Sequence, residues 1–274
     1  MEITVGHTPD ADDAFMFYGI TSGKVKSDLT VNHVIADIET LNNKALRHEL
    51  DVTAVSAHAY AYLEDHAILK SGGSFGLGYG PIVIAKSEMT MDQLRRARIA
   101  IPGKMTSAYL LLRLAIGNFD GKEKPFETIP EAVYSGEADA GLVIHESQIV
   151  YDRAKFVNVL DLGRWWSEST GGLPVPLGIN VASLRLLDKQ AVHEFSELFT
   201  KSISYGLAHV DDAVEFAMQY ARGQPKETIT KFVKMYVNDF SLDMGILGAH
   251  AIEKMFEMAR KNGVLGKDIV VSVV

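Results

Sequence analysis

Through residues 1–150 the chain alternates short apolar runs with amphipathic stretches, and this alternation most limits what it can fold into. "ITVGHT" has strand character, and "DDAFMFYGITSGK" that of a helix, with acids in its first turn and Gly23 near its end. "LTVNHVIAD" predicts a second strand, "ETLNNKALRHEL" a helix, and "VTAVS" a third strand running into the helix "AHAYAYLE". A second series follows: "RIAIPG" as strand, "TSAYLLLRLAIGN" and "EAVYSGE" as helices, and "ADAGLVIHE" as strand. Such alternation predicts an α/β protein with parallel sheets and helices on both faces. From about residue 188 the pattern becomes helical, over 188–208, 211–222, 225–237 and 245–262.

Between the two series lies "SGGSFGLGYGPIVIAKS", a glycine-marked loop followed by "PIVIA", a predicted strand leading to the second series. A second crossover is "GGLPVPLGINVAS", with two prolines and another apolar strand. Together they predict a double hinge at 82–86 and 177–182. One lobe would comprise residues 1–86 plus 178–274, and the other residues 87–177. A ligand cleft is expected between two such lobes, where closure excludes water.

Composition narrows the function. A net charge of −8 argues against nucleic acid or an anionic membrane as partner, since both need clustered Lys and Arg. With no cysteine there is no disulfide, thiolate metal site or cysteine nucleophile. The start "MEITVGHTPDADD" lacks the basic and apolar regions of a secretory signal, and no run of about 18 apolar residues occurs, so a cytoplasmic location is expected. "GLGYG" precedes a strand and lacks the dinucleotide spacing, which requires a glycine-rich turn after a strand. "HESQI" is not H-E-x-x-H. Neither a metal nor a cofactor is expected.

Candidate site residues gather at strand-to-helix junctions, where ligands sit in α/β sheets. His145 ends the run Ala140–Ile144 and is either a proton-transfer group or an ordinary loop histidine capping a strand. In "IPGKMTSAYLLL", Thr106 or Ser107 caps an apolar helix, and the hydroxyls and free N–H groups there suit a carboxylate or phosphate; a plain N-cap is the alternative. Asp10, Asp12 and Asp13 complement a helix dipole, while Asp13 could instead hold a neighbouring loop or orient a polar substrate group. Ser56 is equally open to capping, and Asn42 lies at a helix start facing the same region.

Taken together, "HTPDADDAFMFYG", "IETLN", "VSAHAYAYL", "SGGSFGLGYGP", "IPGKMTSAYLLL", "ADAGLVIHES", "DLGRWW" and "LPVPLGIN" resemble the dihydroxynaphthoate synthase family of the futalosine route to menaquinone. The resemblance spans nearly the whole chain and is weakest after about residue 190. It implies the two-lobed type 2 periplasmic-binding-protein fold and a lyase that converts cyclic dehypoxanthinylfutalosine into 1,4-dihydroxy-6-naphthoate, releasing the sugar-derived carbon fragment. It also implies His145 as general base, with Ala54, Val55, Ser56, Thr106, Ser107 and Ala108 as contacts for a small-molecule carboxylate substrate and Asn42 lining the same cleft. Family members often show "SPCPND" where this chain has "TPDADD", which leaves contacts ahead of Asp13 without a counterpart. The rival readings are a chorismate dehydratase of the same pathway and a non-catalytic cytoplasmic small-molecule-binding protein. Fold alone does not separate these.

Overall fold

The apolar runs become the strands of two sheets in the computed structural model, which describes residues 1–274 except Glu146. The chain opens with β1 (Glu2–His7), α1 (Ala11–Thr21), β2 (Thr30–Ile35), α2 (Ile38–Leu46), β3 (Val52–Ser56), α3 (Ala57–Tyr60), β4 (His66–Ile68) and β5 (Ser74–Gly76). It continues through β6 (Ile82–Ala85), α4 (Met91–Arg96), β7 (Arg98–Ile101), α5 (Ser107–Ile116), β8 (Asp120–Glu123), α6 (Ile129–Ser135), β9 (Ala140–Val143) and α7 (Ser147–Val150). After β10 (Val157–Asp161), α8 (Leu162–Thr170) and β11 (Val175–Ser183) come α9 (Lys189–Ala208), α10 (Val210–Ala217), α11 (Lys226–Tyr236), α12 (Asp239–Leu242) and α13 (Gly245–Lys261).

Two units result: Met1–Phe75 with Gly178–His250 and Val270–Val274, and Gly76–Leu177 with Ala251–Ile269. The first crossing therefore falls after Phe75, ahead of the position near 86 expected from sequence. Ile82, Val83, Ile84 and Ala85 are all buried, and β6 lies between β10 and β9, so the expected apolar strand is an interior strand of the second unit's sheet.

In the first unit the sheet order is β2-β1-β3-β11-β4. β1 runs parallel to β2 and β3, as alternation predicts, while β11 runs antiparallel to β3 and β4. In the second unit the order is β10-β6-β9-β7-β8, with β6 antiparallel to both neighbours. The sheets are mixed, and the all-parallel expectation is corrected. A crossover helix enforces parallel entry, and neither β6 nor β11 enters its sheet as the second strand of a strand–helix–strand unit. The remaining β7–β8 and β7–β9 pairs are parallel.

Residues Ala11–Gly19 of α1 are buried on every face, the mark of a helix enclosed by the rest of its unit. Phe17 stacks on Phe199 of α9 at 4.4 Å between ring centroids. A Cβ on Gly19 would stand 2.9 Å from the Ser202 backbone, so glycine sets how closely α1 and α9 approach. In the second unit Ile82, Ile84, Val143, Ile129 and Val133 form one cluster. Gly141 lets α6 settle on β9, because a Cβ there would meet Ile129 at 2.6 Å. Burying a side chain of this size contributes about 1.5–3 kcal/mol. No helix among the described residues is long and apolar enough to cross a membrane.

Candidate active site

At the β1–α1 junction of the first unit, five polar side chains are buried: His7, Thr8, Asp10, Asp12 and Asp13. Asp13 Oδ2 accepts from both the Thr8 amide and the Thr8 hydroxyl, each at 2.7 Å. Of the two roles left open by sequence, the geometry shows the first: Asp13 clamps the loop that leads into α1. Burial pushes its carboxyl up, while His7 and the two Thr8 bonds pull it back. The Asp12 carboxyl is pushed well above its ordinary range by burial and by the neighbouring charges of Asp13 and Asp10. Its Oδ1 is buried and accepts no hydrogen bond among the described residues. Arg222, from the loop before α11, reaches back to pair with Asp10 at 2.7 Å and to donate to the Pro9 carbonyl at 3.1 Å.

His7 extends this cluster outward. Its Nδ1 lies 3.1 Å from the Thr8 carbonyl and its Nε2 3.0 Å from Nδ1 of His33. A carbonyl can only accept, so in the neutral pair His7 carries its proton on Nδ1, and His33 donates from its own Nδ1. Burial, with His7 beside it, lowers His33 to about 4.

On the neighbouring strand, β3 ends in Ala54, Val55 and Ser56, all buried. Asn42 of α2 is fully buried against Ser56. Its Oδ1 accepts from the Ser56 amide at 2.9 Å, and its Nδ2 donates to Ser56 Oγ at 3.2 Å and to Glu39 at 3.3 Å. Ser56 stands at the N-terminus of α3, yet its hydroxyl makes no capping bond.

In the second unit, Thr106 is a true N-cap of α5. Its Oγ1 accepts from the Tyr109 amide at 3.2 Å and donates to the Gly103 carbonyl at 2.8 Å. Ser107 donates to the Leu177 carbonyl at 2.6 Å. Both hydroxyl protons expected to face a carboxylate are thus committed to protein carbonyls. Thr106, Ser107 and Ala108 are each 3% exposed. What suits an anion at this end is the backbone of the first turn, where the N–H groups of a helix precede its internal bonds.

His145 lies two residues beyond the end of β9, after Ile144, with a left-handed backbone, φ 55°. Left-handed backbone is uncommon for a side-chain-bearing residue and is stored at functional sites. The imidazole is half-buried, its centroid 4.7 Å from the Phe126 ring, and the His145 carbonyl accepts from the Gln148 amide as α7 begins. The sequence-predicted residues therefore divide between the units: Asn42, Ala54, Val55 and Ser56 in the first, Thr106, Ser107, Ala108 and His145 in the second. A surface hollow of about 710 Å³ beside Thr21, Lys26 and His33, and another of about 250 Å³ beside Tyr134 and Ser147, contain none of them. Sequence reasoning passed over His7, although the strand-end position that singled out His145 applies equally to it. Arg222 left no local signal. Its bonds to Pro9 and Asp10 span more than 200 residues, which no periodicity reveals.

A family model described as menaquinone biosynthesis matches residues 3–261. A 1,4-dihydroxy-6-naphthoate synthase of Thermus thermophilus is 39% identical over 262 residues, covering 95% of each chain. One from Streptomyces coelicolor is 33% identical over 270 residues, covering 96% of this chain and 94% of that one. A crystal structure of an Archaeoglobus fulgidus protein superposes with a TM-score of 0.92 at 48% identity, over 96% of this chain and 98% of that one. A Candida albicans protein described as having the generic periplasmic binding protein fold superposes with a TM-score of 0.76 at 18% identity, over 98% of this chain and 92% of that one. The fold is accordingly that of the periplasmic binding proteins, as the resemblance in sequence implied.

Proposed function

We propose that this chain, which belongs to the menaquinone biosynthesis family, converts cyclic dehypoxanthinylfutalosine into 1,4-dihydroxy-6-naphthoate, with His145 as the general base. The observation that supports this most is the end-to-end similarity to two proteins named for that product, each aligned over at least 94% of its length. The reaction breaks carbon bonds beside a carbonyl and ends in an aromatic ring, so aromatisation supplies much of the driving force. What the protein must add is a base that exchanges protons near neutral pH, and imidazole is the side chain suited to this. The left-handed backbone at His145, shared with His48, Asp65 and Arg222, is uncommon for a side-chain-bearing residue and counts in favour of a special role at this position.

The remaining residues bind and orient. The first-turn amides of α5 at Ser107 and Ala108 meet the substrate carboxylate, and Thr106 holds that turn through its bond to Gly103. Ser56 supplies a hydroxyl from the end of β3. The enzyme works in the cytoplasm on a small-molecule carboxylate, without a nucleic-acid or membrane partner.

Incubation of the purified protein with cyclic dehypoxanthinylfutalosine tests this, with the naphthoate followed by its absorbance and mass. Appearance of the naphthoate supports the proposal. Recovery of the substrate unchanged favours a binding protein, and turnover of chorismate instead would favour the dehydratase.

A further inference from the structure

We propose that Asn42 is a positioning residue: it sets the Ser56 hydroxyl as a hydrogen-bond donor aimed at a carboxylate or carbonyl oxygen of the substrate. This rests on the reading of Ser56 as a substrate contact and adds the direction of that contact and the residue that dictates it.

The direction follows from donor and acceptor roles. The Ser56 amide can only donate, so the atom of Asn42 lying 2.9 Å from it must be the carbonyl oxygen. That fixes the orientation of the amide and turns its NH2 toward Ser56 Oγ, 3.2 Å away, and toward Glu39 Oε2, 3.3 Å away. A hydroxyl that accepts from Asn42 cannot also point its own proton there. Ser56 does not spend that proton as a helix cap, and among the described residues nothing accepts it. Ser56 is 3% exposed, and a buried O–H without an acceptor is costly, so the site is built for an oxygen that arrives with the ligand. Asn42 is 0% exposed, with its amide engaged on Ser56 and Glu39, so it acts through Ser56 and does not touch substrate itself.

The test is a cycle of four proteins: wild type, Ser56→Ala, Asn42→Leu and the double variant, compared by KM and kcat on the cyclic substrate and by thermal unfolding. Ser56→Ala is expected to raise KM roughly tenfold or more, as for loss of a bond to a charged group, with a smaller change in kcat. Asn42→Leu should raise KM similarly in the wild-type background and have no further effect in Ser56→Ala. If the two effects multiply, Asn42 acts independently of Ser56 and the positioning role is overturned. If Ser56→Ala leaves KM unchanged, the contact reading of Ser56 itself falls, and the proposal with it.

Asn42→Asp keeps the test decisive should the leucine variant fail to fold. A neutral aspartic acid can still donate to Ser56 Oγ, whereas a carboxylate can only accept and would draw the Ser56 proton onto itself. Its KM, relative to wild type at each pH, should therefore fall as the solution is made more acid. A ratio that stays constant with pH overturns the proposal.

Discussion

Replacing His145 by glycine and, separately, by alanine tests backbone strain and chemistry at one position. Both variants lose the imidazole and its packing against Phe126, at 4.7 Å, so they differ only in what the backbone asks of the residue. At φ 55° an alanine side chain crowds the following carbonyl, costing about 1–2 kcal/mol. Glycine escapes that cost but loses more freedom on folding, which returns about 0.5–1 kcal/mol. The glycine variant should thus be the more stable of the two by about 0.5–1 kcal/mol. For a chain of this size that is roughly 1–4 °C in Tm. In turnover the two should match, each falling about 10²–10⁴-fold for loss of a general base. Calorimetry and steady-state kinetics on the two purified variants suffice. An alanine variant as stable as the glycine one would refute the strained-backbone argument, and near-normal kcat in either would refute the base.

Other outcomes follow from the first unit. Asp13→Ala strands the buried Thr8 amide and hydroxyl, and should cost about 2–4 kcal/mol in urea unfolding; a loss under about 0.5 kcal/mol would mean the clamp is idle. His33 is held at about 4, below its value in the unfolded chain, so its contribution is present above about pH 6.5 and is lost as pH falls toward 4. Because the ring is partly exposed, we expect about 1 kcal/mol from it, seen as a shallower acid limb of Tm against pH in His33→Gln. Removing Val270–Val274 takes away the bonds that Ser272 and Val274 make to Ile68 and Lys70, which cover the edge of β4. A loss of about 2–3 kcal/mol is expected, and a truncated protein with unchanged Tm would show the edge needs no cover.

Much of the architecture was legible in the residues because periodicity is a local property. The helical spans read near 188–208, 225–237 and 245–262 correspond to α9, α11 and α13 within two residues, each having an apolar stripe to bury. β3 follows "VTAVS" residue for residue, and β9 covers all but the last residue, Ile144, of the apolar run ahead of His145. Strand direction is not local. Whether β6 and β11 run with or against their neighbours depends on where the chain re-enters a sheet, and "PIVIA" looks the same either way. Roles of single hydroxyls and carboxylates lay equally out of reach. Ser107 donates its hydroxyl proton to Leu177, 70 positions on, a partner that no local pattern reveals. Ser56 and Thr106 looked alike as strand-end hydroxyls, yet one caps its helix and the other does not, because only Ser56 has a buried amide folded against it. Sequence alone placed the candidate groups at the ends of strands; tertiary packing decided which of their protons and lone pairs remain for a ligand, since hydrogen-bond partners are chosen by proximity in space.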